Sequence, residues 1–144
     1  MKTERVFADT NLFLRYLTND VPAQADAVEG LLHRAAAGEI NLVTNSLIIA
    51  EIVWTLESYY GLARDDIKDK ILAILNTPGL EVVDGDLLLH AVFWYADKNI
   101  DFIDAFSAAW MKSQNLKTAY TFDRKHFSRI QGISVQVPDE SPQK

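Results

Sequence analysis

The chain has 144 residues, the size of one domain, and its 49% hydrophobic and 24% charged residues exclude wholesale disorder. It has no cysteine, which excludes disulfides, thiolate zinc sites and cysteine nucleophiles and fits a reducing cytosol. The formal net charge of -6 argues weakly against a nucleic-acid partner, because Lys112, Lys117, Arg124, Lys125 and Arg129 form a local basic stretch opposed only by Asp123.

Arg5 to Ala8 reads as a short buried strand, and Leu12, Leu14 and Leu17 as a short helix after it. Pro22 suits a first helical turn, and Ala25, Val28, Leu31, Leu32 and Ala35 keep helical spacing up to Gly38. Ile40 to Val43 is a second strand. Thr44-Asn45-Ser46 offers capping oxygens to a helix that runs through Leu47, Ile48, Ile52, Val53, Leu56 and Tyr59 to a stop at Gly61. A helix from Asp65 to Leu75 is broken by Pro78-Gly79, and Leu80 to Val83 is a third strand. Helices follow from Asp86 to about Asp97 and from Ile103 to about Asn115. Thr118 to Thr121 is a fourth strand, and Ser134 to Val137 alternates as an edge strand should. Residues 1–137 make one domain, and 138–144 a loose tail. No apolar run approaches the ~18 residues of a membrane span, so no membrane role is expected.

Strands alternating with helices predict an α/β fold, a three-layer α/β/α sandwich on a short parallel sheet. Right-handed crossovers put the loops that follow the strands on one edge. Asp9 and Asp123 fall on that edge. Glu51 and Asp104 reach it from the first turns of helices. Like charges gathered in such a crevice call for a cation.

Each acid also has a plainer reading. Asp9 and Asp123 suit turn or helix caps. Glu51, with Leu47, Ile48 and Thr55 as helical neighbours, borders the apolar stripe, where a salt bridge would also satisfy it. Asp101 and Asp104 share a helical face at an N-terminus, where an acid is favoured by the exposed N–H groups. Ala105, Ala108 and Ala109 let that helix lie close to a sheet, which makes Asp104 the inward-facing acid and Asp101 the cap.

The ordered set Asp9-Thr10-Asn11, Glu51, Asp104-Ala105-x-x-Ala108-Ala109 and Thr121-x-Asp123-x-x-x-Phe127 resembles the PIN-domain nucleases, most of all the VapC-type toxins of prokaryotic toxin–antitoxin pairs. Trp110 departs from that pattern, standing where small or aliphatic residues are usual. The resemblance implies a metal-dependent endoribonuclease. Asp9, Glu51, Asp104 and Asp123 would be its catalytic and metal-binding acids, with Thr10, Asn11, Asp101 and Thr121 in support. It further implies Mg²⁺ or Mn²⁺ as cofactor, tRNA or rRNA as substrate, a cognate antitoxin, a homodimer and a cytoplasmic location. Phosphodiester hydrolysis needs an activated water and a counter to phosphate charge, and a metal on hard oxygens supplies both. Arg124 and Lys125, and secondarily Lys112 and Arg15, are the cations placed to hold RNA phosphates. His126, beside Asp123, is a further substrate-contact candidate.

Two other classes compete. A Mg²⁺-dependent phosphatase or phosphotransferase needs an aspartyl nucleophile, but the turn after Asp9 is Thr10-Asn11 and lacks the second acid of the commonest such pattern. A non-catalytic α/β binding module would use its acids only as caps. No Gly-rich phosphate loop is present, which argues against an NTPase.

Overall fold

A computed structural model describes residues 3–139, which form two compact units dividing between Leu89 and His90. The first unit opens with β1 (Arg5–Phe7), α1 (Thr10–Thr18) and α2 (Pro22–Ala36), followed by β2 (Asn41–Thr44) and α3 (Ser46–Ser58). It closes with α4 (Arg64–Leu75) and β3 (Leu80–Val82), and the division falls inside α5 (Gly85–Asp97). The strands form a parallel sheet in the order β1-β2-β3, with Val6 opposite Leu42 and Leu42 opposite Leu80.

The local chemistry explains these boundaries. Asn45 caps α3, its side-chain oxygen accepting from the Leu47 and Ile48 N–H groups at 3.1 and 3.2 Å. Pro22 stands in the first turn of α2. Asn19 ends α1 in the left-handed region, with φ 53°. α3 stops at Ser58, three residues before the expected glycine, and Gly61 turns the chain onward with φ +67°. At Gly79 the backbone runs against the Ala35 carbonyl, so a side chain there would collide. Leu42, Ile49, Ile52, Leu56, Ile67 and Ile71 are buried and build this unit's core. Truncating one of these isoleucines to Ala costs about 2–5 kcal/mol.

The second unit holds the end of α5, then α6 (Phe102–Ser113), β4 (Thr118–Tyr120), a 3₁₀ turn (Phe127–Arg129) and β5 (Ser134–Gln136). β4 and β5 pair in parallel, with Ala119 opposite Val135. Among the described residues all strand pairing is thus parallel, as the alternating pattern requires, and each pair lies within one unit. Ala105, Ala108 and Ala109 form a buried face of α6, and Tyr95 packs edge-on against Phe102 with ring centroids 5.9 Å apart. The Arg129 guanidinium donates to the Lys98 and Asn99 carbonyls at 3.3 and 2.6 Å, tying the 3₁₀ turn to the loop before α6. That 3₁₀ turn carries no periodic signal and was not expected. The predicted C-terminal tail lies mostly outside the described residues.

Candidate metal centre

The second unit brings three side chains together. Asp101 is the N-cap of α6, and its carboxylate accepts from the Ile103 N–H at 3.2 Å. Asp104 follows in the first helical turn and is half-buried. In the turn after β4, Thr121 Oγ1 accepts from the Asp123 N–H at 3.0 Å, and Asp123 Oδ1 accepts from the Lys125 N–H at 3.0 Å. The first bond holds the Asp123 amide, and the second closes an Asx turn that fastens the Asp123 carboxylate to the backbone two residues on. One residue beyond Lys125, the His126 ring accepts the Asp101 N–H on Nδ1 at 2.8 Å. Ligand atoms of Asp104, Asp123 and His126 all lie within 4.8 Å of one another.

The electrostatics set Asp104 apart. Its pKa is raised above the ordinary aspartate value of 3.8, first by burial and then by the Asp101 charge. His126 works against the rise, and the Asp123 charge adds to it. A carboxylate pressed by burial and by like charges favours a proton or a bound cation. The sequence singled out Asp104 and Asp123 but read His126 only as a possible substrate contact. The spacing Asp123-x-x-His126 was the available signal, since a tight turn returns the fourth residue toward the first.

The first unit holds the other candidates. Asp9 precedes α1 in extended backbone, and its side chain makes no capping bond, so the capping role that competed for it is not realised. The strand end before it is pinned: Ala8 N–H donates to Val43 O at 2.9 Å, and the buried Thr44 hydroxyl donates to Ala8 O at 3.0 Å. Thr10 is buried, and its Oγ1 has no hydrogen-bond partner among the described residues. Asn11 is exposed. Glu51 corrects one expectation. It does not border the apolar stripe of α3; it is exposed, on the side away from Ile49, Ile52, Val53 and Leu56. The misreading came from Leu47, taken as core but 79% exposed one turn before Glu51.

The family model for the PIN domain matches residues 6–133, a span that crosses both compact units. The chain belongs to the PIN domain family. It is 23% identical over 133 residues to a VapC ribonuclease of Aquifex aeolicus (strain VF5), an alignment covering 92% of this chain and 97% of that one. Among solved structures it is similar to VapBC2 from Rickettsia felis, crystallised with a DNA fragment from the promoter. There the identity is 15%, the coverage 94% of this chain and 99% of the other, and the TM-score 0.38.

The donor set of this PIN chain suits a hard divalent cation. Asp104 and Asp123 offer carboxylate oxygens, and the burial that strains ionised Asp104 is relieved when a cation takes the charge. The basic candidates divide. Arg15 is committed within its own unit, with Nε on Gln24 Oε1 at 2.8 Å and a terminal nitrogen 3.4 Å from Asp20. Lys112 donates to the Gln131 carbonyl at 2.7 Å and lies 5.6 Å from the Trp94 ring centroid. Arg124 and Lys125 are exposed, and their side chains make no ion pair among the described residues.

Proposed function

We propose that this chain is a metal-dependent endoribonuclease and the toxin of a VapBC-type toxin–antitoxin pair. Asp9, Glu51, Asp104 and Asp123 are its catalytic, metal-binding acids, Mg²⁺ or Mn²⁺ its cofactor, and tRNA or rRNA its substrate. The observation that carries the reading is the half-buried Asp104 carboxylate beside Asp123 and His126 in a PIN chain. The VapC ribonuclease from Aquifex aeolicus adds support for the RNA substrate. A cognate antitoxin, a homodimer and a cytoplasmic location belong to the same reading. Among the described residues no helix is long and apolar enough to cross a membrane.

When bound, the cation would lower the pKa of a water and offset charge on the phosphate. The rest falls to the chain. Asp101 fixes the start of α6 and so the height of Asp104. Thr121 fixes the turn that presents Asp123. Thr10 and Asn11 support Asp9, and Thr10 brings a buried hydroxyl with bonding capacity to spare. Arg124 and Lys125 hold the RNA backbone by charge. Incubating the purified protein with total tRNA and rRNA and with Mn²⁺ or Mg²⁺, with and without EDTA, tests the reading. Cleavage that survives EDTA, or no cleavage with either ion, sinks it.

A further inference from the structure

We propose that His126 is a catalytic residue that donates a hydrogen bond to the scissile phosphate, and that it is not a metal ligand. The inference rests on the nuclease reading above. The Asp101 backbone N–H donates to His126 Nδ1 at 2.8 Å. An amide hydrogen can be accepted only by a ring nitrogen with a free lone pair, so Nδ1 carries no proton and the neutral ring holds its hydrogen on Nε2. Both lone pairs are then committed, one to the amide and one to the proton. Whichever nitrogen lies nearer the carboxylates, the ring has nothing to give a cation unless the Asp101 bond breaks. That bond is well anchored. Asp101 caps α6 through its side chain, and its carbonyl accepts the Ala105 N–H at 2.8 Å.

The Nε2 hydrogen has no acceptor among the described residues. The ring lies within 4.8 Å of the carboxylate oxygens of Asp104 and Asp123, yet no ion pair joins it to either. The ring that carries this N–H donor thus stands beside the two acids that would hold the cation and, through it, the phosphate. Such a donor strengthens its bond as charge grows on the phosphate oxygens in the transition state. Asp101 acts through His126 as a positioning residue, and it does so with its backbone, so changing its side chain leaves the bond to Nδ1 in place.

Two substitutions separate this role from a structural one. Asn places an amide oxygen near the position of Nδ1 and so keeps an acceptor for Asp101, but it loses the distal donor. Gln places its amide nitrogen near the position of Nε2 and so keeps the donor, but it loses the acceptor. With total tRNA and rRNA and with Mn²⁺ or Mg²⁺, His126→Asn should lower kcat and kcat/KM together by roughly 100-fold, the usual loss for one transition-state donor. His126→Gln should recover much of that rate. Mn²⁺ affinity by calorimetry should stay near wild type in both, whereas loss of a ligand or its close support would cost at least about tenfold. The opposite order, with Asn active and Gln inactive, would show that His126 only anchors the start of α6 and overturn the proposal. A tenfold weaker Mn²⁺ affinity in both variants would make it a ligand and overturn it too. Wild type that fails to cleave overturns the nuclease reading and this one together. An active wild type matched by an equally active His126→Asn sinks this one alone.

Discussion

Asp20 and Asp104 are two carboxylates whose environments move them in opposite directions. Asp20 follows α1 and is surrounded by donors. Tyr60 Oη donates to one carboxylate oxygen at 2.8 Å, and the Thr18 hydroxyl and the Arg15 guanidinium reach the other at 3.0 and 3.4 Å. Its pKa is lowered, first by Tyr60 and then by Thr18, against an opposing effect of burial that outranks the further lowering by Arg15. Tyr60 is the firmer support, because the single Thr18 proton also has the Leu14 carbonyl within 2.7 Å. Asp104 has burial and two like charges where Asp20 has donors, and its pKa is raised. One acid has its charge satisfied by the fold and serves the joint between α1 and α2. The other holds a charge the fold leaves unsatisfied, which is what a cation-binding acid requires.

The widest separation between the two should be in catalysis. Asp104→Asn keeps shape and removes the charge proposed to hold the cation, so RNA cleavage should fall by more than about 100-fold, beyond the range for supporting residues. Asp9→Asn, Glu51→Gln and Asp123→Asn should behave the same way. Asp20→Asn should leave cleavage per folded molecule unchanged. Asp101→Asn should be mild, because asparagine also caps a helix. Cleavage assays that find Asp20→Asn as damaging as Asp104→Asn would erase the distinction.

Metal binding gives the next separation. A ligand that binds only the folded chain stabilises it by mass action, by about 2.7 kcal/mol at a concentration 100 times the dissociation constant. Thermal melts should therefore rise with Mn²⁺ in wild type and in Asp20→Asn, and much less in Asp104→Asn. An equal rise in all three would place the Mn²⁺ elsewhere.

The same contrast runs through the cations. Arg15 is spent on Gln24 and Asp20, whereas Arg124 and Lys125 have no side-chain ion partner among the described residues. Replacing Arg124 and Lys125 with Ala should weaken RNA binding and flatten its dependence on salt. The logarithmic slope should fall by about 0.7 for each phosphate of single-stranded RNA that the variant no longer neutralises. Arg15→Ala should leave the slope alone and lower the melting temperature instead. Binding titrations at several salt concentrations decide it, and an unchanged slope for the double variant would reduce Arg124 and Lys125 to a solvated face.

Much of this was legible in the chain. Helix and strand order followed from apolar spacing, and Asn45, Pro22 and Asp101 marked helix starts because short polar side chains and a fixed φ do so locally. Asp104 was separable from Asp101 because three alanines announced the buried face of its helix. What stayed hidden depends on distant partners. Arg15 read as a free cation because its acceptors are set by the turn between α1 and α2. Leu47 read as core because a hydropathy pattern cannot tell a buried leucine from an exposed one. The tautomer of His126 depends on an amide 25 residues away in sequence.

The finest test of the comparison is the sign of a pH effect on stability without metal. Asp104 has a folded-state pKa above 3.8, so its ionisation opposes folding. That penalty is absent below 3.8, grows as pH rises from there through the folded-state pKa, and is complete at neutral pH. Asp104→Asn should therefore melt higher than wild type at pH 7 in EDTA, and the gain should vanish in acid. Asp20 has a folded-state pKa below 3.8, so its ionised form supports folding. That support is present above 3.8 and lost as pH falls through the lowered value. Tyr60→Phe, which removes the largest cause of the lowering, should melt below wild type at pH 7 and converge with it only in stronger acid. Both shifts should be small, since Asp20 is well exposed and Asp104 only half-buried. Opposite signs at neutral pH would confirm that one fold holds two kinds of aspartate. If Asp104→Asn loses stability at pH 7 in EDTA, its carboxylate is satisfied by the fold after all, and the case for a cation there weakens with it.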